Sequence, residues 1–267
     1  MKIARIAGTP LEPSSPRRKS MKDSAISSEN YDELINTLIA KTAYSIGAIL
    51  GDGHMRFVPS YGNGSWYLVE VAGMDREVPE RFLSEVRDVF HKDYHIIERT
   101  LNSGTKMYYG RTYQKTIYDY FHAFTHDKTE VPMEIVRGSD EVKRDFIAGL
   151  FDTDGTVKYT ETWNGTRTKK NPRWQLGFSN TKLGLVGSVA SILASMNVKV
   201  GKIHVYERGG YRTIYTIHPN LRTFIDAGFY FQIKRKQDRL LSYLAHVVGS
   251  ETMYATSLTK DEDIVQA

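Results

Sequence analysis

The sequence predicts an α+β protein made of two pseudo-symmetric αββαββα repeats. Two observations carry this prediction. A short apolar pattern that ends in Asp-Gly occurs twice, at residues 44–53 and 146–155, so that Asp52 and Asp154 lie 102 residues apart. After each copy, the residues alternate between apolar and polar as paired strands do, and they then change to the spacing of amphipathic helices.

Each half is predicted to contain two hairpins separated by a helix and closed by a second helix. Glycine-containing turns such as 102–104 and 209–210 join the strands. In the first half the expected strands and helices are 54–58, 66–71, 78–90 (helix), 94–100, 106–112 and 115–124 (helix). In the second half they are 156–162, 173–178, 182–196 (helix), 202–207, 211–217 and 220–227 (helix). We divide the chain into a basic tail at 1–29, a first repeat at 30–137, a second repeat at 138–250 and a C-terminal tail at 251–267.

The amino-acid composition excludes several classes of protein and of functional site. The 267 residues are 40% hydrophobic, which is enough for a buried core, and the formal charge of +5 suits a polyanionic partner. The absence of cysteine excludes disulfides, thiolate metal sites and thiol nucleophiles, and it fits a reducing, intracellular compartment. The apolar run Leu38–Leu50 contains Lys41 and is shorter than the roughly 20 residues of a membrane span. We therefore expect no membrane partner.

The glycines and the acids of the repeated pattern predict a paired-helix site. Glycine inside a helix costs roughly 0.5–1 kcal/mol relative to alanine, so Gly47, Gly51 and Gly149 need a structural reason. Close approach of two helix backbones supplies one. The ends of such a pair would bring Asp52 and Asp154 together, and a shared divalent cation would relieve their repulsion.

Oxygen ligands in small number favour Mg²⁺, which accepts phosphate oxygens and suits phosphodiester hydrolysis. The residues just before the acids, Gly51 and Thr153, are further candidate ligands. A single Asp-Gly after a helix is usually only a helix stop. Two equivalent copies, each with an acid at the unfavourable end of the helix dipole, favour a cation. A calcium-binding loop does not fit, because Trp163 stands where the loop requires a glutamate.

The segment 146–155 (FIAGLFDTDG) closely resembles the LAGLIDADG motif, and 45–53 (SIGAILGDG) resembles it more loosely, with Leu50 in place of the earlier acid. The repeated element order extends this resemblance to about residues 30–248. The resemblance implies a monomeric homing endonuclease that cuts double-stranded DNA at a long site and leaves short 3′ overhangs. It also implies motif helices at the internal interface, two saddle-shaped antiparallel sheets on DNA, and Mg²⁺ as cofactor, with Mn²⁺ or Ca²⁺ able to substitute for binding.

The resemblance also implies a lysine beside each acid, and we assign Lys234 in the second half and Lys128 in the first. In similar enzymes a polar residue ends the second strand and contacts water; Asn180 or Lys182 fits this place, whereas Gly73 occupies it in the first half. Polar side chains on one face of the strands are expected to contact DNA. These candidates are Arg56, Glu70, Arg111, Lys158, Arg173, Gln175, Lys182, His204, Arg212 and Tyr215.

Two other functions remain open on this scaffold. An intron RNA maturase would use the same fold to promote splicing. A DNA-binding regulator would bind without cutting, and loss of an acid would have favoured it. Both acids are present, which favours the nuclease.

Overall fold

A computed structural model of the chain describes residues 28–59, 65–163, 170–208 and 212–247. The predicted tails and the turn at 209–210 lie outside these residues, except for residues 28 and 29. The described residues form two compact units, which divide between Thr153 and Asp154. The predicted repeat boundary at residues 137 and 138 lies before the second motif helix, whereas the boundary between the compact units follows it.

The first unit contains the elements of the first repeat in the predicted order. They are α1 (Ser28–Gly51), β1 (His54–Val58), β2 (Trp66–Gly73), α2 (Glu77–Phe90), β3 (Ile97–Thr100), β4 (Lys106–Thr112), α3 (Lys115–Thr125) and α4 (Met133–Arg137). The second motif helix follows as α5 (Asp140–Asp154). The short helix α4 was not predicted. It begins directly after Pro132, whose fixed φ suits the residue before a helix.

The second unit repeats this order. Its elements are β5 (Gly155–Trp163), β6 (Lys170–Asn180), α6 (Leu183–Ser195), β7 (His204–Arg208), β8 (Arg212–Ile217), α7 (Leu221–Asp226) and a helix over 234–247, here α8. The helix α8 was not predicted. The α+β prediction of two αββαββα repeats is confirmed, with one additional helix after each.

Each unit holds one antiparallel sheet with the same strand order, β1-β2-β4-β3 in the first and β5-β6-β8-β7 in the second. Strand alternation gives each sheet one apolar and one polar face. Val69 and Val71 of β2 are fully buried on the face that carries α2 and α3, and Leu176 and Phe178 of β6 are buried in the same way. The opposite faces carry most of the predicted DNA contacts.

The helix α1 lies at the centre of the first unit. Its residues from Ala43 to Leu50 are almost completely buried. The segment Asp32–Gly51 is long and apolar enough to cross a membrane by length and composition, but more than half of it is buried inside the fold. Burial of every residue from Thr42 to Leu50 accounts for this apolar character.

Candidate functional site

The two motif helices, α1 and α5, pack in direct backbone contact. A Cβ on Gly47 would overlap the carbonyl oxygen of Phe146 and come within 2.9 Å of the Leu150 nitrogen. A Cβ on Gly149 would overlap the carbonyl oxygen of Tyr44 and come within 3.0 Å of the Ala48 nitrogen. The offset of 102 residues relates the two contacts, since Gly149, Phe146 and Leu150 are the counterparts of Gly47, Tyr44 and Ala48. The glycines are therefore needed for close approach, and the contact has the reciprocity of a two-fold pair.

One polar contact between these helices breaks that symmetry. The Tyr44 hydroxyl donates to Oδ2 of Asp152 at 2.8 Å, and both residues are buried. The equivalent positions hold Phe146 and Leu50, which cannot form such a bond. Asp152, the earlier acid of the second motif copy, therefore takes part in the helix contact. The counterpart of Tyr44 is Phe146, which has no hydroxyl to donate, and this explains why the first copy has Leu50 in place of the acid.

A second buried carboxylate ties α1 to α2. The backbone nitrogen and the hydroxyl of Ser45 donate to Oε2 of Glu85 at 3.0 and 2.6 Å, and Nε of Arg81 donates to Oε1 at 2.9 Å. Burial raises the pKa of Glu85 above its ordinary value of 4.5, against the lowering effect of the hydrogen bonds and the Arg81 charge. Arg81 also lies 3.6 Å from Asp145 of α5. This network supports the helix that carries the first acid.

The first acid sits in a tight turn. Asp52 is exposed and follows α1 directly, and the Gly53 nitrogen donates to the Ala48 carbonyl at 3.1 Å. A Cβ on Gly53 would overlap the backbone of Ile49, so the turn requires glycine. The Lys128 ammonium donates to the Gly53 carbonyl at 2.6 Å and to the Gly51 carbonyl at 3.5 Å. The predicted lysine of the first half therefore binds the turn that carries Asp52.

The second acid sits in an equivalent turn. Asp154 ends α5 and is half-buried, and its Oδ2 accepts a hydrogen bond from Nδ2 of Asn180 at 2.9 Å. The Lys236 ammonium, on a side chain that is almost fully buried, donates to the Gly155 carbonyl at 2.7 Å. Gly155 is the counterpart of Gly53, so Lys236 takes the place in the second unit that Lys128 takes in the first.

This geometry corrects the choice of Lys234 as that counterpart. The Lys234 side chain is 77% exposed and forms an ion pair with Asp238 at 2.8 Å, and this hydrogen bond raises the pKa of Lys234. Ile233 and Leu240 are buried, and Lys236 lies on the same side of α8 at helical spacing. That spacing is the sequence signal that distinguishes Lys236 from Lys234.

The other two predicted ligands, Gly51 and Thr153, directly precede the acids in the chain. Gly51 presents its carbonyl to Lys128, and the Thr153 hydroxyl donates to the Leu150 carbonyl at 2.9 Å. Within the described ranges, no cluster of three or more histidine or acidic side chains could hold a metal ion by itself. The carboxylate of Asp52 is exposed in the first unit, and an exposed carboxylate oxygen is a donor that suits Mg²⁺, an ion that retains several water ligands.

The polar face of the first sheet holds the predicted contacts Arg56, Glu70 and Arg111. Arg56 is exposed on the edge strand β1. Glu70 and Arg111 face each other across β2 and β4 and form an ion pair. The Arg111 guanidinium also lies 4.8 Å from the centre of the Tyr109 ring. Arg56 is therefore available to a ligand as it stands, whereas Arg111 is already held by Glu70.

In the second sheet, the register places most predicted contacts on the polar face, on β5 to β8. These residues are Lys158, Arg173, Gln175, His204 and Arg212. Lys182 is exposed immediately after β6, beside this sheet. Tyr215 is the exception. It pairs with Asn180 and lies on the helix-bearing face with Phe178 and Ile217, so the prediction that it lies on the polar face is wrong.

His218 was missed from the sequence. It follows β8 on the polar face, where the Gln175 amide nitrogen lies 3.0 Å from its Nδ1 and its ring centre is 5.4 Å from that of His204. The alternation of β8 places 216 and 218 on one face, and this pattern could have identified it.

Comparisons with known proteins agree with this architecture. Residues 141–228 match a family model described as a LAGLIDADG-like domain. Mesophilic variants of the homing endonuclease I-DmoI are 20% identical, with a TM-score of 0.51 over 70% of this chain and 89% of theirs. A structure of I-DmoI in complex with DNA and Ca is 21% identical, with a TM-score of 0.51 over 71% of this chain and 87% of that one.

A structure of the meganuclease I-SmaMI bound to uncleaveable DNA is 11% identical, with a TM-score of 0.50 over 79% of this chain and 92% of that one. At these identities the likeness establishes the fold. No curated protein matches the chain.

Proposed function

We propose that the chain is a LAGLIDADG endonuclease, a monomeric, site-specific enzyme that cuts both strands of DNA with a divalent metal ion, Mg²⁺ in the cell. The relatives with the same fold include a homing endonuclease in complex with DNA and Ca and a meganuclease bound to DNA. The proposed products are double-strand breaks with short 3′ overhangs at a long site.

One observation carries this proposal. Each motif helix leads into an Asp-Gly turn whose glycine carbonyl is bound by a lysine ammonium, Lys128 at Gly53 and Lys236 at Gly155. A helix stop needs the glycine but neither the acid nor the lysine. The same combination of acid, glycine and lysine in both halves fits the hydrolysis of two phosphodiester bonds, one in each DNA strand.

Asp52 and Asp154 would hold the metal through their carboxylate oxygens. Asp52 is exposed, and Oδ2 of Asp154 accepts the hydrogen bond from Asn180, which orients this carboxylate. When bound, a divalent cation supplies positive charge to the phosphate oxygens and lowers the pKa of a bound water. We assign the two lysines to fixing the acidic turns and adding positive charge beside the scissile phosphates.

The strand faces would position the duplex. Exposed Arg56, Lys158, Arg173 and Arg212 suit phosphate or guanine, and Gln175, held against His218, suits adenine. Contacts between basic side chains and DNA phosphates make the affinity for DNA fall steeply as the salt concentration rises.

The test is selection of cleaved sequences from a randomised duplex library with purified protein and Mg²⁺, followed by end mapping. The proposal expects one long preferred site, breaks in both strands with short 3′ overhangs, and no cleavage in EDTA. Binding to a selected duplex without cleavage in any divalent metal would instead favour a regulator.

A further inference from the structure

A pair of histidines lies at the C-terminal end of α3. His122 belongs to the last turn of this helix, and His126 directly follows its last residue. Because they are four residues apart, both rings project from the same side of the helix. Both side chains are exposed, and the ring centres lie 5.7 Å apart with the ring planes inclined by 35°. The first unit therefore presents two neighbouring imidazoles to solvent.

Neither imidazole of this pair takes part in a hydrogen bond among the residues that the structure describes. The ring of His122 is stacked on that of Tyr118, with 5.3 Å between the ring centres and 24° between the planes. Stacking restricts the orientation of the ring but leaves the nitrogens at its edge accessible. The nitrogens of both histidines are thus available to a ligand.

A second histidine pair, on the polar face of the second sheet, differs in this respect. The ring centres of His204 and His218 lie 5.4 Å apart. However, Nδ1 of His218 lies 3.2 Å from the carbonyl oxygen of Leu176, and its Nε2 lies 3.2 Å from the amide nitrogen of Gln175. The fold therefore uses both ring nitrogens of His218.

The spacing of His122 and His126 suits a shared metal ion. Two histidines four residues apart on one face of a helix are a known arrangement for binding one Zn²⁺ ion. Bonds of about 2.0–2.1 Å from the ion to nitrogen place the centres of two such rings roughly 5 Å apart. The observed 5.7 Å requires only small rotations of two exposed side chains. Imidazole nitrogen selects Zn²⁺, Ni²⁺ or Cu²⁺, whereas Mg²⁺ binds oxygen ligands.

The charges around this pair favour a cation. The helix α3 ends at Thr125, so the pair lies at the negative end of the helix dipole. Asp127 adds a carboxylate, whose Oδ2 lies 3.7 Å from Nε2 of His126. Its Oδ1 accepts a hydrogen bond from the backbone nitrogen of Thr129 at 3.1 Å, which holds the carboxylate beside the histidine.

We propose that His122 and His126 chelate one first-row transition-metal ion of the Zn²⁺ class, with water molecules as the remaining ligands. Two protein ligands are fewer than a structural zinc site has, so the ion exchanges with solvent. The ion binds only the folded helix end and therefore stabilises it. The chain that leaves this end reaches Lys128, which binds the Gly53 carbonyl, two residues later. This inference does not depend on the proposed nuclease function.

The first measurement is a calorimetric titration of the full-length, tag-free protein with Zn²⁺. Excess Mg²⁺ is present throughout, because it occupies carboxylate oxygens and leaves imidazole free. His122→Ala and His126→Ala should each weaken the affinity for Zn²⁺ by about 10-fold or more, since one remaining imidazole loses the advantage of a second, intramolecular contact. His95→Ala is the matched control: His95 is also exposed but belongs to neither pair, so the affinity should not change.

A second measurement identifies the ligands without any substitution. The chain has eight histidines, whose ring protons give separate signals in an assigned NMR spectrum. Cu²⁺ below one equivalent should broaden the signals of His122 and His126 first, because a paramagnetic ion acts on the protons nearest to it. The signals of His204 and His218 should remain sharp at this concentration.

Unchanged Zn²⁺ affinity in His122→Ala or His126→Ala would overturn the inference, and so would an equal loss of affinity in His95→Ala. Selective broadening of His204 and His218 would also contradict it. Both histidines of the proposed site are exposed, so their variants should fold as the wild type does, which circular dichroism checks. If either variant does not fold, the Cu²⁺ broadening of the wild type decides. Neither measurement involves DNA, so a failure of the nuclease proposal would leave these results unaffected.

Discussion

Replacing Gly149 with alanine tests the contact that pairs the two motif helices. The added Cβ would overlap the Tyr44 carbonyl oxygen and lie 2.8 Å from its carbon. Carbon atoms in contact prefer about 3.5–4.0 Å, so the helix backbones would have to separate by roughly 1 Å. No flexible side chain can absorb this shift, because every overlapping atom belongs to backbone.

The expected net effect is destabilisation. Overpacking of this kind costs typically about 1–3 kcal/mol, and the better helix propensity of alanine returns at most about 1 kcal/mol. Gly187→Ala is the matched control, since Gly187 lies within α6 and a Cβ there would meet nothing within 4 Å.

The assay is urea denaturation of the wild type and both variants. Gly149→Ala should lower the free energy of unfolding by about 1–2 kcal/mol, and Gly187→Ala should raise it by roughly 0.5–1 kcal/mol. If Gly149→Ala is as stable as Gly187→Ala, the helices do not meet at Gly149 and the argument is refuted.

Three further predictions test other parts of the structure. Tyr44→Phe removes a donor from buried Asp152 and should cost about 1–3 kcal/mol in denaturation, whereas adding Asp152→Leu, which copies the first-half chemistry, should recover part of the loss. Glu85→Gln should gain stability relative to the wild type as pH rises above 4.5: the folded state holds the Glu85 proton more tightly, so the contribution of Glu85 is complete below 4.5 and is lost as pH rises through its raised pKa. A difference between these two proteins that does not change with pH would contradict this sign. Lys236→Met should slow DNA cleavage by about 10-fold or more while Lys234→Met changes it little, and equal effects of the two variants on the cleavage rate would refute the reassignment.

The sequence was sufficient for the parts of the fold that depend on repetition and alternation. The hairpins were predicted correctly because strands such as β1 and β4 are bounded by turns and alternate in polarity. The helix α8 was missed because its first turn is basic and no apolar residue lies between Ile233, just before the helix, and Leu240. The choice between Lys234 and Lys236 required this helix, because only the helical spacing of Ile233, Lys236 and Leu240 identifies the buried lysine.

The parts of the site that could be predicted are those where a residue in its sequence context has a single structural explanation. Gly47 and Gly149 indicated helix contact, and the structure shows it, because only close approach explains glycine in a core helix. The role of Asp152 was not predictable. Its partner, Tyr44, lies on another helix 108 residues away, and no local pattern reports such a pairing.

The most direct test of the central claim compares cleavage and binding by Asp52→Asn, Asp154→Asn and the wild type on one selected duplex. Each variant should bind the duplex in Ca²⁺ with unchanged affinity and lose at least about 100-fold in the rate of double-strand cleavage in Mg²⁺, because a carboxylate that holds the cation is worth several kcal/mol at the transition state. Cleavage of both strands at the wild-type rate by either variant would contradict the account.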